Sequence, residues 1–169
     1  MRNVRWILAV ATAATVLTGC SDGAMSEEAY FAEMESISQN ADDELAAWED
    51  STRDAFANVT SAQEATEAFR PLLEDAREIV QTTLDEIESL SPPDEVADEH
   101  TAFADSIRAL LNEFQRLLDD YDTLGFEGVV AAIQGQELQS LERASDEACT
   151  DLQNAADDSG VDVDLNCQG

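Results

Sequence analysis

Lysine is absent from this 169-residue chain, and its eight arginines face 38 aspartates and glutamates, for a formal charge of −30. A polyanion of this strength is repelled by nucleic acid and by bare anionic lipid. Nucleic-acid binding is excluded on sign alone. Histidine occurs once, as His100. Di-iron bundles need Glu-x-x-His on two helices, and here position 97 is alanine and position 103 phenylalanine, so no such site can be completed. The longest apolar run, Trp6–Leu17, falls short of the ~20 residues that span a bilayer. Gly-x-Ser-x-Gly, a phosphate loop and a dinucleotide fingerprint are also missing. The sequence therefore carries no catalytic constellation and no cofactor motif, and a non-enzymatic role is expected.

What remains is sufficient for a fold. Apolar residues make up 44% of the chain, although aromatics are only 6%. That content supports one core and argues against wholesale disorder, and the length suits a single domain. The combination of arginine without lysine and a dense carboxylate surface fits a high-GC genome, a salty habitat, or both. Screening by salt relieves the self-repulsion of such a surface.

The N-terminus gives the address. Arg2 and Arg5 precede the uncharged Trp6–Leu17 stretch, which ends in Leu17-Thr18-Gly19-Cys20. A basic start, a short apolar run and small residues at its end are the marks of a secretory signal peptide. Leu17-Thr18-Gly19-Cys20 resembles the lipobox of bacterial lipoproteins. The resemblance implies cleavage before Cys20 by signal peptidase II, after diacylglycerol has been joined to its sulfur. Residues 1–19 are then a cleaved signal peptide, 20–25 a lipidated tether, and 26–169 one helical domain. From Cys20 onward the net charge is −32, so attachment to the membrane rests on the lipid alone.

With Cys20 acylated, Cys149 and Cys167 remain. An even pair in an oxidising compartment favours a disulfide. Redox sites generally use Cys-x-x-Cys and zinc sites need further ligands nearby; neither pattern is present, and a structural staple is expected.

Apolar residues then recur at three- and four-residue steps, as on one face of a helix. The first segment, about 26–58, carries Tyr30, Met34, Ile37, Ala41, Leu45 and Trp48, and Ser26 can cap it. Ser61-Ala62-Gln63-Glu64 reads as a capping box opening a second segment to about Leu90, with a kink or restart expected near Phe69–Pro71. Ser91-Pro92-Pro93 breaks the chain before a third segment carrying Val96, His100, Phe103, Ile107, Leu110 and Phe114. A connection at Asp122–Gly125 leads to a fourth, about 126–158, weakened by Gly128 and Gly135. The tail Val161–Cys167 alternates apolar and polar residues and can pack along the core. The expected fold is all-α: an up-down four-helix bundle of long helices with a disulfide-stapled C-terminal tail. A single long coiled coil is disfavoured by the Pro-Pro break.

The entry Pro92-Pro93-Asp94-Glu95-Val96 with Glu99-His100, and the ending Ala148-Cys149…Val161-Asp162-Val163-Asp164-Leu165-Asn166-Cys167, resemble small helical lipoproteins of high-GC Gram-positive bacteria. That resemblance implies location and fold but supplies no activity.

Candidate ligands are few. His100 lies on an apolar stripe, where a satisfied core-edge imidazole outweighs a metal ligand. Asp120 and Asp122 lie in the third connection, but counting an EF-hand from Asp120 puts Leu124 and Ala131 where oxygen ligands belong. Asp162 and Asp164 alternate with apolar residues and read as a solvated edge. Trp48 reads as core, and Glu49/Arg53, Glu113/Arg116 and Arg143/Glu147 as helix-surface pairs. The expected role is a lipid-anchored extracytoplasmic module that binds or scaffolds an envelope protein or other ligand. The alternative is a solute- or cation-binding bundle with an interior pocket near His100 or the acidic tail.

Overall fold

A computed structural model describes residues 23–167; the expected signal peptide, residues 1–19, and the expected lipidation site Cys20 lie outside the described residues. The chain is all-α, with no strand among the described residues. Among the described residues five helices form, α1 (Glu27–Phe56), α2 (Ala62–Ser89), α3 (Ala97–Asp119), α4 (Tyr121–Ile133) and α5 (Gln136–Ser159), with a 3₁₀ turn at Asp94–Val96. The number differs from the four expected, because the fourth segment is two helices.

Local chemistry sets most of these boundaries. Ser26 caps α1 by accepting from the Ala29 amide. At α2 the reciprocal box is complete: Ser61 Oγ accepts from the Glu64 amide at 3.2 Å, and Glu64 Oε2 accepts from the Ser61 amide at 3.1 Å. Glu64 also accepts from Thr60, and these bonds hold its carboxyl below the usual range. Contrary to the expected restart, α2 runs without interruption through Pro71. The ring removes one amide proton well inside the helix, and the buried Leu72, Leu73 and Ala76 that follow hold the helix in place.

The break between α3 and the last third of the chain falls where expected, but by a tighter route. One turn at Tyr121–Leu124 continues from α3, and Gly125 then takes φ 65°, ψ 179°, a region open essentially to glycine only. The second interruption, at Gln134-Gly135, separates α4 from α5. A Cβ at Gly135 would meet the Ala132 carbonyl oxygen at 2.8 Å, so the chain can pass there only as glycine.

The helices pack α1 on α2, α2 on α3 and α3 on α5, while α4 lies against α2 and α3. Two buried clusters result. At one end Tyr30, Phe31 and Met34 of α1 join Ile87 of α2, Phe103 of α3 and Leu152 of α5. At the other, Leu73, Leu117, Tyr121 and Val129 form a smaller core. There Phe126 of α4 meets Phe56 and Phe69, with ring centroids at 5.9 and 5.3 Å. Helix α4 thus occupies the end of the assembly where a continuous fourth helix would have run.

The tail is stapled as expected. Cys149 and Cys167 are disulfide-bonded, with Cα atoms 5.5 Å apart. Gly160 ends α5 in the left-handed region at φ 74°, turning Leu165 into the core at 2% exposure. Gln153 fastens the segment twice: its carbonyl oxygen accepts from the Leu165 amide, and its amide donates to the Val163 carbonyl.

Candidate functional site

The stripe along α1 does not stay buried. Tyr30, Phe31, Met34 and Ile37 are enclosed, but Leu45, two turns beyond Ile37, is 41% exposed. The sequence places Leu45 on the same face, so it is a core expectation that the structure corrects. The cause lies in the partners. Helix α5 and α1 meet only sparingly, and their separation opens a groove of about 270 Å³ beside the first buried cluster. Ile79 and Val80 of α2 and Ile107 and Leu110 of α3 form its floor. Ile37, Ala41 and Leu45 make the α1 wall, and Ser145 and Cys149 the α5 wall. The tail closes one end through Leu165, Asn166 and Cys167. Asp42 and Asp146 stand on the opposite walls, and neither has an arginine partner among the described residues. Chemically, the groove offers an aliphatic surface edged with negative charge.

His100 is elsewhere. It is 8% exposed, and its Nδ1 lies 3.0 Å from the Tyr30 hydroxyl. With the ring proton on Nε2, the phenol donates and the pair is satisfied. The two rings also meet edge to face, centroids 5.7 Å apart. Burial lowers the His100 pKa from its ordinary 6.5, with Glu88 opposing the shift; burial, then the charge of Glu99, raises that of Tyr30. Because the unfolded imidazole binds protons more readily, this neutral ring contributes stability above pH 6.5 that is lost as pH falls through the folded value. Urea melts at pH 7 and pH 5 should therefore show the wild type losing more stability on acidification than His100→Asn. Equal losses would remove the claim.

The acidic candidates are not assembled. Asp120 pairs with Arg116 at 3.1 Å and Asp122 with Arg70 at 2.8 Å. Asp162 and Asp164 are exposed, and Asp164 accepts from the Asn166 amide while its own amide donates to Glu35. Among the described residues no three His, Cys, Asp or Glu side chains converge on a point where a metal ion could sit. A larger acidic cleft, lined by Glu27, Glu95, Asp98, Glu99, Asp151 and Asp158, lies where the starts of α1 and α3 meet the end of α5, and none of these carboxylates is buried.

Trp48 is half-buried and donates from Nε1 to the Leu72 carbonyl at 2.7 Å, a structural role in joining α1 to α2. Of the expected ion pairs only Glu113–Arg116 forms: Glu113 is 5% exposed, and Arg116 Nε reaches its Oε2 at 2.7 Å. That carboxylate raises the guanidinium pKa. Arg53 turns to Asp50 instead of Glu49. Sequence reasoning missed the groove, although the length of the α1 stripe was its signal. No helix among the described residues is long and apolar enough to cross a membrane. No protein-family model, curated protein or solved structure matches the chain.

Proposed function

We propose that this chain is a lipoprotein held on the extracytoplasmic face of the cell membrane by acyl groups on Cys20, and that it acts without catalysis, by binding through the α1/α5 groove. The groove is the observation that carries the binding half of the reading. An open apolar trough through the middle of a helical assembly sacrifices burial that a continuous fourth helix would supply. A surface of that kind, rimmed by polar residues, marks a binding site. The address half is supported by the arginines at positions 2 and 5, the short apolar run and the Leu-Thr-Gly-Cys ending. Each buried methylene contributes ~0.8 kcal/mol, and two acyl chains anchor a protein stably where one is marginal.

In this reading α1, α2, α3 and α5 alternate in direction as in an up-down bundle, with α4 filling one end. Support comes from the Met25 amide donating to the Ser91 carbonyl at one end of the α1/α2 pair, and from Trp48 reaching Leu72 toward the other. Residues 20–25 then connect lipid to bundle as a short tether.

Fractionation of native cells tests the anchor. Wild-type protein is expected in the membrane fraction, with a diacylglyceryl mass on the peptide beginning at Cys20, and Cys20→Ala in the soluble export fraction. A wild-type protein recovered unacylated would overturn this half of the reading.

A further inference from the structure

We propose that the α1/α5 groove is the docking site for a basic amphipathic helix presented by a partner protein. The inference rests on the reading of the groove as the binding element and adds the chemistry of its occupant. Three observations point the same way. First, the groove is a helix-shaped vacancy. From Ile37 to Leu45 its α1 wall extends about 12 Å, a little over two helical turns, and the helices that form the two walls meet each other only sparingly. Such a trough receives the i, i+3, i+4, i+7 anchors of an amphipathic helix.

Second, the open form suits a partner's side chains better than an enclosed small molecule. Small-molecule sites occupy about 300–1,000 Å³ and bury most of their ligand. This one holds about 270 Å³ and lies open along the gap between α1 and α5. Ala41 and Ser145, both small, stand on opposite walls and let another helix approach closely.

Third, the charge selects the sign of the partner. Asp42 and Asp146 face the groove from both sides without arginine partners, and the chain from Cys20 carries −32. A helix flanked by Lys or Arg gains two rim pairs and a steered approach, whereas an acidic helix or an anionic amphiphile is repelled.

The probe is a fluorescein-labelled 18-residue peptide of Leu, Ala and Lys with an apolar helical face, read by anisotropy against full lipidated protein in zwitterionic nanodiscs. Empty discs set the background, and a Glu-for-Lys version of the peptide controls for charge. Saturable binding of the basic peptide alone is expected, weakening as NaCl rises from 0.15 to 0.6 M. Leu45→Glu, at an exposed wall position, should weaken it at least tenfold. Asp42→Asn with Asp146→Asn should weaken it about three- to tenfold. Equal binding of the acidic peptide, or indifference to Leu45→Glu, would overturn the proposal. So would displacement of the basic peptide by micromolar dodecyltrimethylammonium below its micelle concentration, which would make the occupant a single-chain amphiphile. Nile red separates the two levels of failure. A blue-shifted signal lost in Leu45→Glu, without peptide binding, overturns the basic-helix occupant and leaves the groove as a binding element; no signal from either probe overturns both.

Discussion

Replacing Cys149 and Cys167 together by serine is expected to lower the unfolding free energy by about 3 kcal/mol and the melting temperature by about 10 °C. Their sequence separation is 18 residues, and in the chain-entropy model a loop of that size gains about that much from the cross-link, because the unfolded chain loses freedom. Freeing the tail also loosens Leu165, which is 2% exposed, and the two bonds from Gln153. Leu165→Ala in the disulfide-bonded protein measures that packing separately, at about 2–3 kcal/mol. Thermal melts of the three proteins, at fixed ionic strength, check both numbers. Loss of the disulfide with no change in stability would mean that the tail does not close the core. Since Leu165, Asn166 and Cys167 form one end of the groove, the same substitution should also weaken whatever binds there.

Two leucines that look alike in the sequence should behave very differently. Leu152→Ala is expected to cost about 3–4 kcal/mol, because this side chain is 0% exposed within the main cluster and its removal leaves a cavity. Leu45→Ala should cost under about 0.5 kcal/mol, since its side chain is 41% exposed and faces the open groove. Both sit on helical stripes and both read as core from periodicity. Urea titrations at one salt concentration measure the difference. A Leu45→Ala cost near that of Leu152→Ala would place α5 against α1 along its whole length, and the groove would not exist.

The features legible in the sequence are those that local chemistry decides. Ser26, the Ser61–Glu64 box and the Pro92-Pro93 break marked helix ends because capping and the missing proline amide act within a turn. Gly125 marked the third connection, and the spacing of Val161, Val163 and Leu165 marked a tail that packs. The cysteine pair was readable once Cys20 had been assigned to a lipid. No new helix starts at Pro71, because tertiary burial of Leu72 and Leu73 outweighs the local penalty. Gly135 was visible as a weak point, but its close approach to the Ala132 carbonyl is a property of the folded chain. From that break follows the rest. With α4 packed across one end, α5 starts anew and leaves the middle of α1 uncovered. Periodicity reports which face of a helix is apolar and is silent on which neighbour covers it. His100 was read correctly as a satisfied imidazole, while its partner, Tyr30, lies 70 residues away and carries no sequence mark.

Acidity adds a condition to every stability measurement. The seven ion pairs among the described residues engage Arg53, Arg70, Arg108 and Arg116, and 38 carboxyl groups far exceed that supply. Exposed pairs of this kind contribute little, so net repulsion dominates the surface and added salt stabilises the fold by screening.

The open groove is tested most directly by methyl NMR with a neutral soluble nitroxide, a probe indifferent to the protein's charge. The account predicts strong paramagnetic broadening of the Leu45, Val80 and Leu110 methyls, which line the groove, and protection of those of Leu117 and Leu152, both 0% exposed. Uniform protection of all five would show α1 and α5 closed on each other, and the binding function argued from their separation would fall.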